Sequence, residues 1–102
     1  MPIYMDIKPS QAKNKKFTAV FSHDVDGKRK KIKTSQFGDS RYEDYTQTRD
    51  KEQRNRYRVR HKKDLSKGNY MSAGHLSYYL LWGEAAALDT NIKKYKKMFK
   101  LK

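Results

Sequence analysis

Cysteine is absent from this chain of 102 residues. That excludes disulfides and any zinc site built on thiolates, and it fits a reducing compartment. No apolar run approaches the ~20 residues needed to cross a bilayer. The N-terminal MPIYMDIKPS lacks the basic-then-apolar order of a secretion signal, so the chain is expected not to be secreted. No Gly-rich phosphate loop is present, and no Ser/His/Asp spacing supports nucleophilic catalysis. The three histidines, His23, His61 and His75, lack a metal-ligand spacing such as HExxH. There is no internal repeat. Acidic residues are scarce, 11 against 25 Lys and Arg, which leaves a net charge of +14.

A charge this far from zero repels itself in a compact state, so an anionic partner is expected. Nucleic acid leads and a membrane surface comes second. Hydrophobic content is only 35%, but 13% of residues are aromatic. Each aromatic buries a large area, so eight Tyr, four Phe and one Trp can close a small core where aliphatics are few. The length suits a single domain.

The chain is organised around Asp50–Leu65, DKEQRNRYRVRHKKDL. From Lys51 to Lys63 it holds seven Lys or Arg and one Glu, with no Pro or Gly to break a helix. At about 100° per residue, Arg49, Arg56, Arg60 and Lys63 fall in one narrow sector. Tyr57, His61 and Leu65 form a second stripe. Arg carries a planar fork that suits phosphate oxygens. A solvated charged face is the competing reading.

Residues 1–15 read as an N-terminal arm. Pro2 and Pro9 oppose helix there, and Ile3, Tyr4, Met5 and Ile7 could add an edge strand or dock on a partner. Residues 16–102 read as one basic α+β domain, a β-hairpin packed on about three helices. In Phe17–Phe21, alternation puts Phe17, Ala19 and Phe21 on one strand face. Asp26-Gly27 is a hairpin turn signal, and a second strand follows through Lys31–Phe37. Lys28, Arg29, Lys30 and Lys31 sit at the hairpin's exposed end, where they contact phosphates, act as a nuclear address or simply keep a strand edge soluble. Gly38-Asp39-Ser40 reads as a turn, Tyr42 and Tyr45 as core-edge residues, and 66–74 as a linker. Leu76–Trp82 suits a short buried helix between Ser72 and Gly83. A last helix starts with Asp89 as N-cap. Leu88, Ile92, Tyr95 and Phe99 form its apolar stripe, and its lysines face solvent. The expected core is Phe17, Phe21, Leu76, Leu80, Trp82, Ile92, Tyr95 and Phe99.

Three stretches, FGDSRYEDYT (37–46), RNRYRVRHKKDL (54–65) and GHLSYYLLWGEAAALDTNIKKYKKMF (74–99), together with the Lys16–Phe21 strand, resemble a family of small basic proteins encoded by large nucleocytoplasmic DNA viruses, the giant viruses. The match spans roughly residues 16–99. Ala73 stands where the family often has Pro. The resemblance implies a viral origin, and with it a place in the virion or in the host cytoplasm or nucleus. It brings no catalytic residues with it.

Three function classes follow. The first is a non-enzymatic nucleic-acid-binding protein that condenses viral DNA, taken as double-stranded, through its phosphate backbone, with self-association on the DNA as an option. Its expected contacts are Lys28, Arg29, Lys30 and Lys31, then Arg49, Arg56, Arg60 and Lys63, then Lys93, Lys94 and Lys97. The second is a structural virion or scaffold protein whose basic surface meets acidic partners. The third is a small nuclease, in which Asp39, Glu43, Asp44 and Asp50 converge on Mg²⁺. Against the third, those carboxylates can equally cap helices and offset nearby Arg. The first reading requires no metal and no cofactor.

Overall fold

The computed structural model describes residues 2–102. Three antiparallel strands, β1 (Ile3–Pro9), β2 (Lys15–Val25) and β3 (Lys28–Asp39), form a sheet in the order β1-β2-β3. Helices α1 (Tyr45–Thr48), α2 (Lys51–His61), α3 (Asp64–Lys67), α4 (Ala73–Leu76) and α5 (Leu88–Met98) follow, with a π-helical turn at Ser77–Leu81 between the last two. This is the expected α+β domain, with the hairpin extended to a third strand.

The β2–β3 turn is where the Asp-Gly pair places it. Asp26 and Gly27 both take positive φ, 52° and 77°. That combination twists a two-residue turn to match its strands, and Gly accepts it without strain. Pairing carries both strands beyond the expected limits. Lys15 pairs with Asp39, so Gly38 and Asp39 lie within β3 instead of forming a turn. Lys28–Lys31 pairs with Ser22–Val25, so the basic tetrad is itself strand. Cross-strand partners here override a weak local preference. A register shift between Phe21 and Ser22 leaves Ile32 without a partner.

The apolar residues of the N-terminal arm give it a place. Ile3–Pro9 pairs with Phe17–His23 along its whole length, and Met5 is fully buried beside Phe21. The far edge of β1 is closed by the C-terminus. The Met5 N–H donates to the Lys102 carbonyl at 2.7 Å, and the Lys102 N–H to the Ile3 carbonyl at 2.8 Å.

One sheet face carries Met5, Ala19, Phe21 and Phe37 into a core with Leu76, Leu80, Leu81 and Tyr95. Of the expected core, Phe21, Leu76, Leu80 and Tyr95 are fully enclosed and Trp82 is buried. Phe17, Ile92 and Phe99 pack against it half-buried. Met5, Phe37, Tyr45, Leu81 and Leu101 complete it.

The LSYYLLW segment is helical, and it widens over Ser77–Leu81. The Trp82 N–H donates to the Ser77 carbonyl five residues back, at 3.1 Å. Gly83 follows it, at a position where a Cβ would collide with the Tyr79 carbonyl. Carbonyls at a helix end have no intrahelical donors. Asn91, buried on α5, supplies them. Its Nδ2 donates to the Leu80 carbonyl at 3.0 Å and the Ala85 carbonyl at 2.7 Å, and its Oδ1 accepts from the Ala85 N–H at 3.2 Å. The N-cap of α5 is Ala87, so Asp89 lies in its first turn, where a carboxylate still favours the helix dipole.

Leu80 is 0% exposed. Leu80→Ala is expected to destabilise the domain by about 2–5 kcal/mol in urea denaturation, the range for truncating an enclosed leucine.

Candidate nucleic-acid interface

Helix α2 is built to be held by one side only. Asp50 caps it, accepting from the Glu52 and Gln53 N–H groups. None of its residues is fully buried. Tyr57 lies flat on Trp82, with centroids 4.3 Å apart and planes at 10°, and His61 stacks on the other side of Tyr57 at 4.1 Å. Two arginines complete the attachment. Arg58 Nη1 donates to the Trp82 carbonyl at 2.9 Å, and its guanidinium sits 4.4 Å from the Tyr78 ring. Arg54 Nη1 donates to the Glu84 carbonyl at 3.2 Å and lies 4.9 Å from the Tyr45 ring.

The four arginines of α2 therefore divide by face. Arg54 and Arg58 face the body with Tyr57 and His61. Arg56 and Arg60 are exposed and, among the described residues, form no salt bridge. The backbone stays right-handed helical through Lys62 and Lys63, so exposed Lys63 continues the outer row. The sequence carried a sign of this division: at about 100° per residue Arg54 and Arg58 share the sector of Tyr57, His61 and Leu65. Arg49 does not belong to the row. It ends α1 at φ 58°, its N–H donating to the Tyr45 carbonyl, and the chain turns there before Asp50 starts a new helix.

The other expected contacts lie on two further elements. Lys28, Lys30 and Lys31 are exposed on β3. Arg29 is partly engaged, 3.5 Å from the Tyr4 ring and 3.7 Å from Asp24. Lys93, Lys94 and Lys97 are exposed on α5, and Lys94 reaches Glu84 at 3.5 Å.

A cleft of about 650 Å³ opens between the base of the sheet, the loop that leads into α1, α2 and the start of α4. Phe37, Leu81 and the Tyr57–Trp82 stack line its apolar part. Two ion pairs and a histidine–carboxylate hydrogen bond surround it. Lys16 Nζ meets Asp44 at 2.6 Å, Arg41 Nη2 meets Asp39 at 2.8 Å, and His61 Nδ1 meets Asp64 at 2.9 Å. Hydrogen bonds from the Arg41 guanidinium and backbone hold Asp39 down at about 2. Asp44 also accepts from the Thr46 N–H and caps α1. Asp39, Glu43, Asp44 and Asp50 thus do not gather around one point. Each of the three aspartates is held by its own cation or helix end, and Glu43 stays exposed. Among the described residues no cluster of three or more His, Cys, Asp or Glu is placed to hold a metal ion. Tyr42 is not a core-edge residue. It is 69% exposed on the rim of the cleft, while Tyr45 turns inward.

A small α+β domain with a one-sided basic helix is the class these features define. The chain belongs to DUF5754, a family of unknown function, whose model matches residues 5–61, from β1 to the end of α2. No curated protein and no solved structure matches the chain. Among the described residues no helix is long and apolar enough to cross a membrane.

Burial, and then the Asp64 carboxylate, push the Tyr57 phenol from 10.0 up to about 12, and burial raises Tyr95 as well. A phenol that keeps its proton longer in the fold stabilises it fully below its unfolded pKa, and that contribution falls as pH rises through the folded value. The urea midpoint should therefore hold up to about pH 10 and drop between about pH 10 and about pH 12. Tyr57→Phe should flatten part of that drop.

Proposed function

We propose that this domain binds nucleic acid through its phosphate backbone, without catalysis, and that duplex DNA is its partner. The observation that carries the reading is the outer row of α2, Arg56, Arg60 and Lys63, exposed and without salt bridges among the described residues. Like charges one turn apart repel each other, and an anion lying along them relieves the repulsion. Lys28, Lys30 and Lys31 on β3 and Lys93 and Lys97 on α5 add positive surface to a chain of net charge +14. The arginines that do engage the protein, Arg54 and Arg58, take backbone carbonyls and ring faces, so they fix the helix without neutralising it. Together with the resemblance to giant-virus proteins, this supports a role in condensing a viral genome, inside the virion or the infected cell.

Backbone neutralisation has a salt signature. With about six to ten phosphates contacted, affinity for duplex DNA should fall by ~10³ to 10⁵ between about 50 and about 200 mM salt, with little dependence on sequence. Salt-insensitive binding, or strong preference for one sequence, contradicts the proposal. The double variant Arg56→Gln/Arg60→Gln should lower the log–log salt slope by about two while the melting temperature holds or rises slightly. A fallen melting temperature with an unchanged slope would make these arginines structural.

A further inference from the structure

The cleft beside α2 has a composition that the phosphate row does not require. Tyr42, on its rim, offers an exposed ring that makes no side-chain hydrogen bond among the described residues; the Arg41 guanidinium lies over it, 6.0 Å from the centroid, a loose contact that an entering base can displace or sandwich. An aromatic left out of a core this short of apolar residues is available to stack on something else. Two carboxylates around the cleft are already neutralised, Asp39 by Arg41 and Asp44 by Lys16, and Asp64 is hydrogen-bonded to His61. Lys15 from β2 and Arg60 from α2 line it and form no salt bridge among the described residues, and neither does Glu43. Two cations and a carboxylate without salt bridges among the described residues, and an exposed ring, therefore share one concavity of about 650 Å³.

We propose that this cleft takes one unstacked nucleotide of a single strand: its base stacks on Tyr42, its phosphate lies between Lys15 and Arg60, and Glu43 accepts from a base amine. Each part matches a chemical need. Base–aromatic stacking is strong and tolerates sequence because every base has a π-face. Cations along the path of the backbone hold the phosphate, and a carboxylate accepts from an exocyclic amine. A paired, stacked base in a duplex presents no free face to Tyr42, so the cleft adds a preference for single strands to the sequence-independent attraction of α2. The inference rests on the proposed nucleic-acid reading, since Arg60 serves both.

The one tryptophan of the chain, Trp82, lines the same cleft and reports on it. The test titrates the protein with a short single-stranded DNA, a duplex of equal length and inorganic phosphate. Trp82 fluorescence is followed beside a separate binding signal from labelled DNA. The single strand should change Trp82 emission, whereas the duplex should bind without doing so and phosphate should do neither. Tyr42→Ala should weaken single-strand binding about tenfold or more and leave duplex binding and the melting temperature unchanged. Tyr42→Phe, which keeps the ring, should restore it. Single-strand binding that is indifferent to Tyr42→Ala, or an equal Trp82 response to duplex, overturns the cleft while the phosphate reading stands. Failure of every nucleic acid to bind at low salt overturns both.

Discussion

Tyr57 lies on Trp82 at 4.3 Å with the two planes 10° apart, and the position of the whole basic helix follows from that contact. A helix of this charge is repelled by the rest of a cationic domain, and it buries no residue fully. An offset or flat aromatic pair contributes about 0.5–1.5 kcal/mol beyond the area it buries, which is modest. Its effect here is amplified by what it aligns. With Tyr57 on Trp82, Arg58 reaches the Trp82 carbonyl, Arg54 reaches Glu84, and His61 is carried to Asp64. Those attachments use the inward cations and orient the remainder outward. Trp82 in turn sits at the end of the π-turn, and Asn91 satisfies the Leu80 carbonyl within that turn and the Ala85 carbonyl beyond it, so the charged helix depends on a buried amide on α5.

The elements most legible in the sequence were those with local causes. Asp26-Gly27 fixed the hairpin because positive φ at both positions is a demand few pairs meet. Tyr57, His61 and Leu65 marked the inner face of α2 because helical spacing is local. The basic tetrad, the outer arginines and the α5 stripe were visible for the same reason. Other features depended on residues far away. The apolar residues near the N-terminus could suit a strand or a docking arm, and only pairing with Phe17–His23 decides between these. Arg49 fits the outer sector on a helical wheel, yet α1 and α2 are separate helices and Arg49 sits in the bend between them.

Tyr42 and Tyr45 show the limit of pattern reading more sharply. They stand three residues apart, and neither spacing nor composition tells which is enclosed. The difference arises from Asp44. Capped into α1 and tied to Lys16, it fixes the backbone so that Tyr45 turns into the core and Tyr42 is left on the rim of the cleft. The π-turn had no sequence signal. The N-cap and C′ candidates around LSYYLLW located the helix, but the widening comes from fitting that helix against α5 and Gly83.

The joining of Ile3 and Met5 to Lys102 carries a consequence for the sheet edge. β1 and β2 are near neighbours along the chain, so that pair can form early. The outer edge of β1 finds its neighbour only in Leu101 and Lys102, far along the sequence. Until that distant contact forms, the sheet offers an open strand edge to other chains.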